Sequence, residues 1–398
     1  MQRLEVVGIP MKINYILGNE EIYNTPMAVC SDEVCSYLSE ISTLIFKSPY
    51  TRIYKDLASL GFWCRSANIH TIKSNILNIQ AKLGRGLCFH IAPANIPINF
   101  AFSYFFGLLA GNSNIVRLPS KRYEQNIILC EIISNIIDKY PNVKKATTFV
   151  EYPRESQWSQ EFSTIADCRM IWGGDETIKL LKSYTTKPRC VDVCFCDRYS
   201  ICIINGDSIK KLDDTALTYL ANNFYNDTYS MDQNACSSPQ IVYWINDDIE
   251  SRERFWRFIA KNANKYILSD IVAIDKFTSV CINAIDSYEA IKSFKRDENI
   301  LYRIEINNAN AINQTMRGIG GLFYECVLND IDELFLSITE KCQTITYFGL
   351  DSKEILKGVI TNNIRGIDRI VPIGNALDIS VKWDGYDIIS MLCREIIL

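Results

Sequence analysis

Histidine is nearly missing from this sequence: its 398 residues include two, His70 and His90. That scarcity removes most zinc sites, and no Ser-His-Asp or Cys-His arrangement can be argued from spacing. No C-x-x-C pair occurs among the 15 cysteines, which excludes the common dithiol motif and the zinc ribbon as well. No G-x-G-x-x-G follows an apolar run, so the ordinary dinucleotide fingerprint is missing. The net charge is only -4 and no long run carries one sign, which leaves no footprint for nucleic acid or an acidic membrane. The opening MQRLEVVGIPMKINYIL has neither the apolar core nor the small-residue cleavage site of a secretory signal. With an odd number of cysteines, this points to a reducing, cytoplasmic setting. Internal repeats, low-complexity segments and Pro/Gly/Ser-rich linkers are also lacking.

What is present is an ordinary globular composition, 48% apolar and 22% charged, in a chain long enough for two domains. The uncharged stretch 91–116 is the one membrane candidate. Pro93, Asn95, Pro97 and Asn99 break it, and its helical part, 98–110, spans roughly 20 Å, too short for a bilayer core of about 30 Å. A buried helix is expected there. It lies between apolar strands at 87–91 and 114–118, a strand–helix–strand unit that implies a parallel sheet. The alternation continues with strands near 146–150, 169–172, 190–196, 200–204, 240–244, 301–306, 322–328 and 344–348, and with helices at 124–140, 213–226, 248–266 and 353–362. A last helix is expected to end at Leu398. The fold class is α/β, with a domain boundary placed near residue 205.

The most informative stretch is YSMDQNACSSPQIVY, 229–243, which sets Cys236 in a polar loop before an apolar strand. Thiolates attack carbonyls well at neutral pH, and a strand entrance is a place where sulfur can meet substrate. Gly173-Gly174, between a strand and a helix, is either a phosphate seat or a plain turn. Asn95, held between two prolines, is either an oxyanion donor or a turn residue satisfying its own backbone. Arg117, Lys121 and Arg122 end a strand beside a turn and suit a phosphate, although Arg122 reads as a solvated helix start. Cys190, Cys194 and Cys196 would share a strand face, with Cys202 nearby. Buried packing explains them better than a metal does, and no metal is expected. His90 reads as a core histidine. Phe100, Phe102, Tyr104 and Phe105 suit either core packing or an acyl tunnel.

Five segments carry a resemblance: APANIP (92–97), LLAGNSNIVRLPSK (108–121), IWGGDET (171–177), DQNACSSPQ (232–240) and DRIVPIGNALDISVKWDG (368–385). Together they resemble the aldehyde dehydrogenase superfamily. Within it they are most similar to the acyl-CoA reductase family typified by the reductase subunit of the bacterial luminescence fatty acid reductase complex. The resemblance implies a Rossmann-like cofactor domain, residues 1–205 with a returning segment 366–398, and an α/β catalytic domain, residues 206–365. It implies Cys236 as the acyl-accepting nucleophile and Asn95 as the side-chain half of an oxyanion hole. Gly173 and Gly174 would lie under a pyrophosphate, with Arg117, Ser120 and Lys121 toward the ribose. A cation at 121, where NAD-preferring members often carry glutamate, favours NADPH. Phe195 stands roughly opposite the glutamate that activates water in hydrolytic members. The ribose-binding carboxylate of the superfamily has no counterpart in Arg317–Gly321.

The expected activity is therefore NADPH-dependent reduction of a fatty acyl thioester, on coenzyme A or a carrier protein, through an acyl-cysteine. The alternatives are an aldehyde-oxidising dehydrogenase of the same fold and a non-redox acyl-carrying scaffold subunit. The resemblance further implies a homo-oligomer, joined through an extra strand or hairpin, and an acyl-protein synthetase as a partner. Stable membrane insertion is not expected.

Overall fold

The computed structural model describes residues 12–93, 96–312 and 316–397. The chain forms two compact α/β units: residues up to Cys196 together with Val381 onward, and Asp197–Ser380.

The first unit runs through β1 (Asn14–Leu17), β2 (Lys82–Gly84), β3 (Leu87–Ile91), β4 (Ser113–Arg117), β5 (Thr147–Glu151), β6 (Cys168–Trp172) and β7 (Val191–Phe195). All but β2 share one sheet in the order β1-β5-β4-β3-β6-β7, parallel from β3 to β7 with β1 antiparallel at the edge. Strands β3 and β6 are buried at every residue, which is why they read as mostly apolar rather than alternating, with His90 and Arg169 as the polar exceptions. The uncharged stretch supplies helix Asn99–Leu109, buried at every position, and Phe100, Phe102, Tyr104 and Phe105 all lie in that core. Phe100 meets Phe149, and Phe102 meets Trp63 edge-on. These four rings pack the core rather than line a tunnel. Among the described residues no helix is long and apolar enough to cross a membrane.

Two polar devices sit inside this unit. His90 is fully buried, with Nδ1 2.8 Å from Ser103 Oγ and Nε2 2.9 Å from Asn114 Oδ1. Burial pushes its pKa down to about 4, against the hydrogen bond to Asn114. The ring is neutral, as a satisfied core histidine should be. Gly107 lets the helix settle on this pair, since a Cβ there would lie 2.0 Å from Asn114 Oδ1 and 2.9 Å from the imidazole. Arg169, also buried, joins β6 to β7 through a two-pronged contact with Asp192 at 2.7 and 2.6 Å. It donates as well to the Leu181 carbonyl at 2.7 Å, so the planar fork leaves little polar hydrogen unmet in the low-dielectric interior.

The second unit contains β8 (Tyr199–Asn205), β9 (Pro239–Ile245), β10 (Ile291–Asp297), β11 (Leu301–Ile306), β12 (Leu322–Leu328), β13 (Cys342–Phe348) and β14 (Arg369–Pro372). Their order is β10-β11-β12-β9-β8-β13-β14, all parallel except β10. Alternation with period two divides the core: Ile201, Ile203, Ile241 and Tyr243 pack on one face, and Cys202, Ile204, Val242 and Trp244 on the other. A buried carboxylate, Glu325, accepts from the indoles of Trp244 (3.0 Å) and Trp256 (2.5 Å) and from Arg303 Nε (2.7 Å).

The chain then returns to the first unit. There β15 (Lys382–Trp383) pairs with β16 (Tyr386–Asp387), and β17 (Cys393–Glu395) pairs antiparallel with β2. Three readings shift accordingly. The division falls at 196/197 rather than near 205, because β8 pairs with β9 and β13 and belongs wholly to the second unit. The return begins at Val381 rather than 366, because β14 extends the second sheet beside β13. The expected terminal helix is only Ile388–Leu392: the open edge of β2 takes the next three residues as a strand, with Lys82 and Glu395 paired at 3.4 Å.

Candidate active site

In the first unit the candidates gather at the carboxyl ends of parallel strands. Strand order reverses between β3, whose neighbours on one side are β4 and β5, and β6, which leads away to β7. Such a switch point leaves a crevice where ligands bind open α/β sheets. The 92–97 loop leaves β3 there, Arg117 ends β4, and Gly173-Gly174 follow β6. Asn95 lies outside the described residues.

The half-buried Arg117 donates to the Tyr152 carbonyl at 3.4 Å, and its guanidinium stands 4.9 Å from the centre of the Tyr152 ring. Its Nε is buried and has no hydrogen-bond partner among the described residues. A buried, unmet cationic N–H at a crevice fits an anionic group, and that is the feature of this edge that suits a phosphorylated cofactor. Ser120 and Lys121 are exposed on the loop beyond, Lys121 with its ammonium 4.8 Å from the Tyr123 ring. Arg122 is exposed and 3.8 Å from Glu151, a loose surface pair of little energetic worth.

At the Gly-Gly turn, Gly173 N–H donates to the Phe195 carbonyl at 3.1 Å, so that amide is already spent. Gly174 faces open space, with no atom within 4 Å of where a Cβ would stand. Helix Asp175–Lys182 opens with two carboxylates, Asp175 and Glu176, which already answer the positive end of its dipole. The turn offers room for a phosphate but little net charge. Phe195 is aromatic packing: its ring stacks on Trp172 at 3.7 Å and meets Tyr386 edge-on at 5.9 Å. Cys190 and Cys194 pack against the core of this unit, and Cys196 is exposed just beyond β7. Among the described residues no group of acidic, cysteine or histidine side chains is arranged to hold a metal.

In the second unit the candidates collect instead at the amino ends of the strands. The Cys236 loop enters β9, Arg317–Gly321 enter β12, and Asp197 precedes β8. Cys236 is half-buried, and its carbonyl accepts from Ser200 Oγ at 2.6 Å, an oxygen that in turn accepts from Thr344 N at 3.2 Å. Neighbouring Ser237 and Ser238 are buried, and Ser238 Oγ has no partner among the described residues. Asp232 (φ 52°) and Gln233 (φ 59°) are consecutive non-glycine residues in left-handed backbone. Each such residue costs about 1 kcal/mol or more, and such strain persists only where surroundings over-determine it.

Here the over-determination is visible. Gln233, 1% exposed, donates through Nε2 to the carbonyls of Pro239 (3.3 Å) and Leu322 (3.1 Å) and accepts at Oε1 from Gly321 N (2.7 Å). The Asp232 carbonyl accepts from Gly320 N at 3.1 Å, and its carboxylate accepts from Tyr266 Oη at 2.5 Å. Lys276, fully buried, donates to the carbonyls of Gly320 (2.9 Å) and Asn299, and burial pushes its ammonium down to about 8. Arg317 turns to Asp197 at 3.5 Å and lies over the Tyr199 ring at 4.5 Å, where it helps close the same end of the sheet. Sequence reasoning singled out Cys236 but passed over Gln233 and Lys276. Their types suggest a solvated loop and a solvated helix face, and only their burial reveals them.

The motif 368–385 is also structural on its first half. Asp227 accepts from the amides of Gly374 (2.6 Å) and Ala376 (3.0 Å), and Arg369 donates to the carbonyls of Asn375, Ala376 and Asp378.

Two parallel sheets with these loops define an aldehyde dehydrogenase-like fold. The glyceraldehyde-3-phosphate dehydrogenase GapN from Methanocaldococcus jannaschii, solved with NADP, superposes with TM-score 0.63 at 14% identity, covering 91% of this chain and 88% of that one. Aldehyde dehydrogenase 21 from Physcomitrella patens, solved with succinate, gives TM-score 0.64 at 12% identity, covering 91% and 84%. Within that fold the chain belongs to the acyl-CoA reductase (LuxC) family, whose profile matches residues 70–394. It is similar to the long-chain acyl-protein thioester reductase of Aliivibrio fischeri, 22% identical over 303 residues, which are 73% of this chain and 58% of the relative. The reductase of the same name from Photorhabdus laumondii is 22% identical over 315 residues, 76% of this chain and 61% of the relative. The chain thus spans about three fifths of the length of these curated relatives.

Proposed function

We propose that this protein reduces a long-chain acyl thioester to the aldehyde at the expense of NADPH, carrying the acyl group on Cys236. The observation that supports this most directly is the Cys236 loop itself: strained backbone, buried bracing and a pinned carbonyl surround one half-buried cysteine. The curated relatives are thioester reductases by name, and this reading extends their substrate class to the present chain. In it the Cys236 thiolate attacks the thioester carbonyl carbon, and the negative oxygen of the tetrahedral intermediate is held by Asn95 and the Cys236 amide. The donor thiol leaves as the carbonyl re-forms, and the acyl group stays on sulfur. NADPH, when bound, supplies a hydride to that carbonyl carbon. The resulting thiohemiacetal takes up a proton at oxygen over the course of the exchange and collapses to free aldehyde and the Cys236 thiol. Arg117 and Lys121 would hold the anionic end of the cofactor. Phe195, packed between Trp172 and Tyr386, offers no carboxylate to activate water, which favours reduction over hydrolysis. The test is NADPH consumption with acyl-CoA donors of graded chain length, with aldehyde detected directly. Consumption matched by aldehyde supports the reading, and acylated Cys236 without NADPH consumption would replace it with an acyl-carrying role.

The same reading includes a cytoplasmic homo-oligomer that receives acyl groups from a synthetase. Support for self-association comes from helix Asp270–Asp286. Its only buried residues are Lys276 and Asn283, whereas Ile271, Ile274, Phe277, Ile282 and Ile285 are 49–79% exposed. Within the helix Ile271, Ile274, Thr278, Cys281 and Ile285 repeat at alternating three- and four-residue steps, the spacing of a helix seam. Large apolar side chains left in water on one helix are the kind of surface that a second copy of the chain would cover. Ile274→Lys with Ile285→Lys should convert the oligomer to monomers in sedimentation. A wild-type chain that is monomeric at micromolar concentration removes this part of the reading.

A further inference from the structure

We infer that Gln233 is a positioning residue for Cys236, an amide clip that locks the nucleophile's loop to the glycine loop 318–321. The inference rests on the acyl-cysteine reading above and adds the element that sets where the sulfur stands.

The geometry carries it in three ways. First, the single side chain of Gln233 spans both loops: it reaches the Pro239 carbonyl, three residues beyond Cys236, and on the far side the Leu322 carbonyl and the Gly321 amide. Both amide hydrogens and the amide oxygen are committed, and the group is sealed from water. Second, the loops touch closely enough that a Cβ at Gly318 would stand 3.1 Å from Gln233 Nε2 and 2.2 Å from the Leu322 carbonyl. Glycine is required there so that the clip can close. Third, the glycine loop has no slack of its own. Gly320 N–H is held by Asp232, its carbonyl by Lys276, and the Gly321 carbonyl by Tyr302 N at 2.8 Å. An amide fastened to an immobile loop fixes whatever is attached to its other end, and that is the four-residue turn containing Cys236. Reaction rates fall steeply when a reacting atom is displaced by about 1 Å, so such a clip acts on rate rather than on substrate affinity.

The experiment follows acylation of Cys236 in single turnover by intact-mass analysis, with the rate expressed per folded molecule from thermal unfolding. Gln233→Met keeps the length of the side chain and removes all three hydrogen bonds. The acylation rate should fall by about 10- to 100-fold with the half-saturating acyl-CoA concentration unchanged within twofold. An acylation rate within twofold of wild type, or a loss that tracks only the folded fraction, would overturn the inference. If Gln233→Met does not fold, Gln233→Glu decides. Its carboxyl regains one O–H donor on protonation, so acylation should recover as pH falls from 8 to 5, relative to the wild-type profile. A profile parallel to wild type overturns the inference. Wild-type protein that never acylates Cys236 would instead defeat the functional reading, a result separable from both.

Discussion

In the first unit the candidate groups follow strands β4 and β6; in the second they precede strands β8, β9 and β12. The difference is electrostatic as well as topological. Loops leaving parallel strands run into helix amino ends, where free N–H groups and the dipole favour anions. Loops entering strands come from helix carboxyl ends, and the Cys236 loop follows helix Asp214–Thr228 in that sense. A phosphate-bearing group suits the first edge, aided by the unmet N–H of Arg117. A nucleophilic sulfur at the second edge would lack that support, so its place would have to be built from side-chain and amide hydrogen bonds. That accounts for the density of buried polar bracing around Asp232, Gln233, Gly320 and Gly321, compared with the open Gly174.

The comparison can be broken most decisively at the sulfur. Cys236→Ala should abolish both acylation and aldehyde formation, and wild-type turnover in that variant would leave the second edge without chemistry. Asn95→Ala should lower turnover by about 10²–10³-fold, the usual cost of one oxyanion donor, with NADPH binding preserved. An unchanged rate would remove the 92–97 loop from the reaction. The interior of the first unit offers a test that does not involve substrate. Because the folded-state pKa of His90 is about 4, below the ordinary 6.5, the stability of its neutral form is complete above pH 6.5. That contribution is lost as pH falls toward 4, about 3 kcal/mol in all. His90→Gln should unfold more easily at pH 7 yet lose less stability than wild type between pH 6.5 and 4.5 in urea titrations. A parallel decline would show that other groups carry the acid sensitivity. The smallest effect belongs to the exposed Lys121. Lys121→Glu should raise the NADPH KM about tenfold, equivalent to ~1.4 kcal/mol, while changing the NADH KM less. Equal changes for both cofactors would remove Lys121 from any role at a 2′-phosphate.

Much of this architecture was legible because burial writes itself into composition. Strands β3, β6, β9 and β12 are mostly apolar segments bounded by turn residues, and the helix Asn99–Leu109 can be placed from its lack of charge. Elsewhere the usual rule is inverted. Helix Asp270–Asp286, which has no counterpart among the expected elements, turns its isoleucines outward and its lysine and asparagine inward, so its pattern does not announce which face meets the protein. The terminal ISMLCREIIL has helical spacing, but the unpaired edge of β2 outbids it, because a backbone ladder meets polar groups that a short helix would leave to water. The boundary near 205 was late because no linker composition separates β7 from β8.

What the sequence by itself determined is local and chemical: alternating strands and helices, a cysteine in a loop before a buried strand, glycines where backbone must approach closely, and the motifs that place the chain in its family. Tertiary structure alone decided which polar side chains are structural. Gln233 and Lys276 are ordinary loop and helix residues until distant segments, Gly320 to Leu322 and Asn299, are brought against them. Burial and hydrogen-bond completion depend on neighbours far away in the chain, and a linear string of residues does not specify those neighbours one by one.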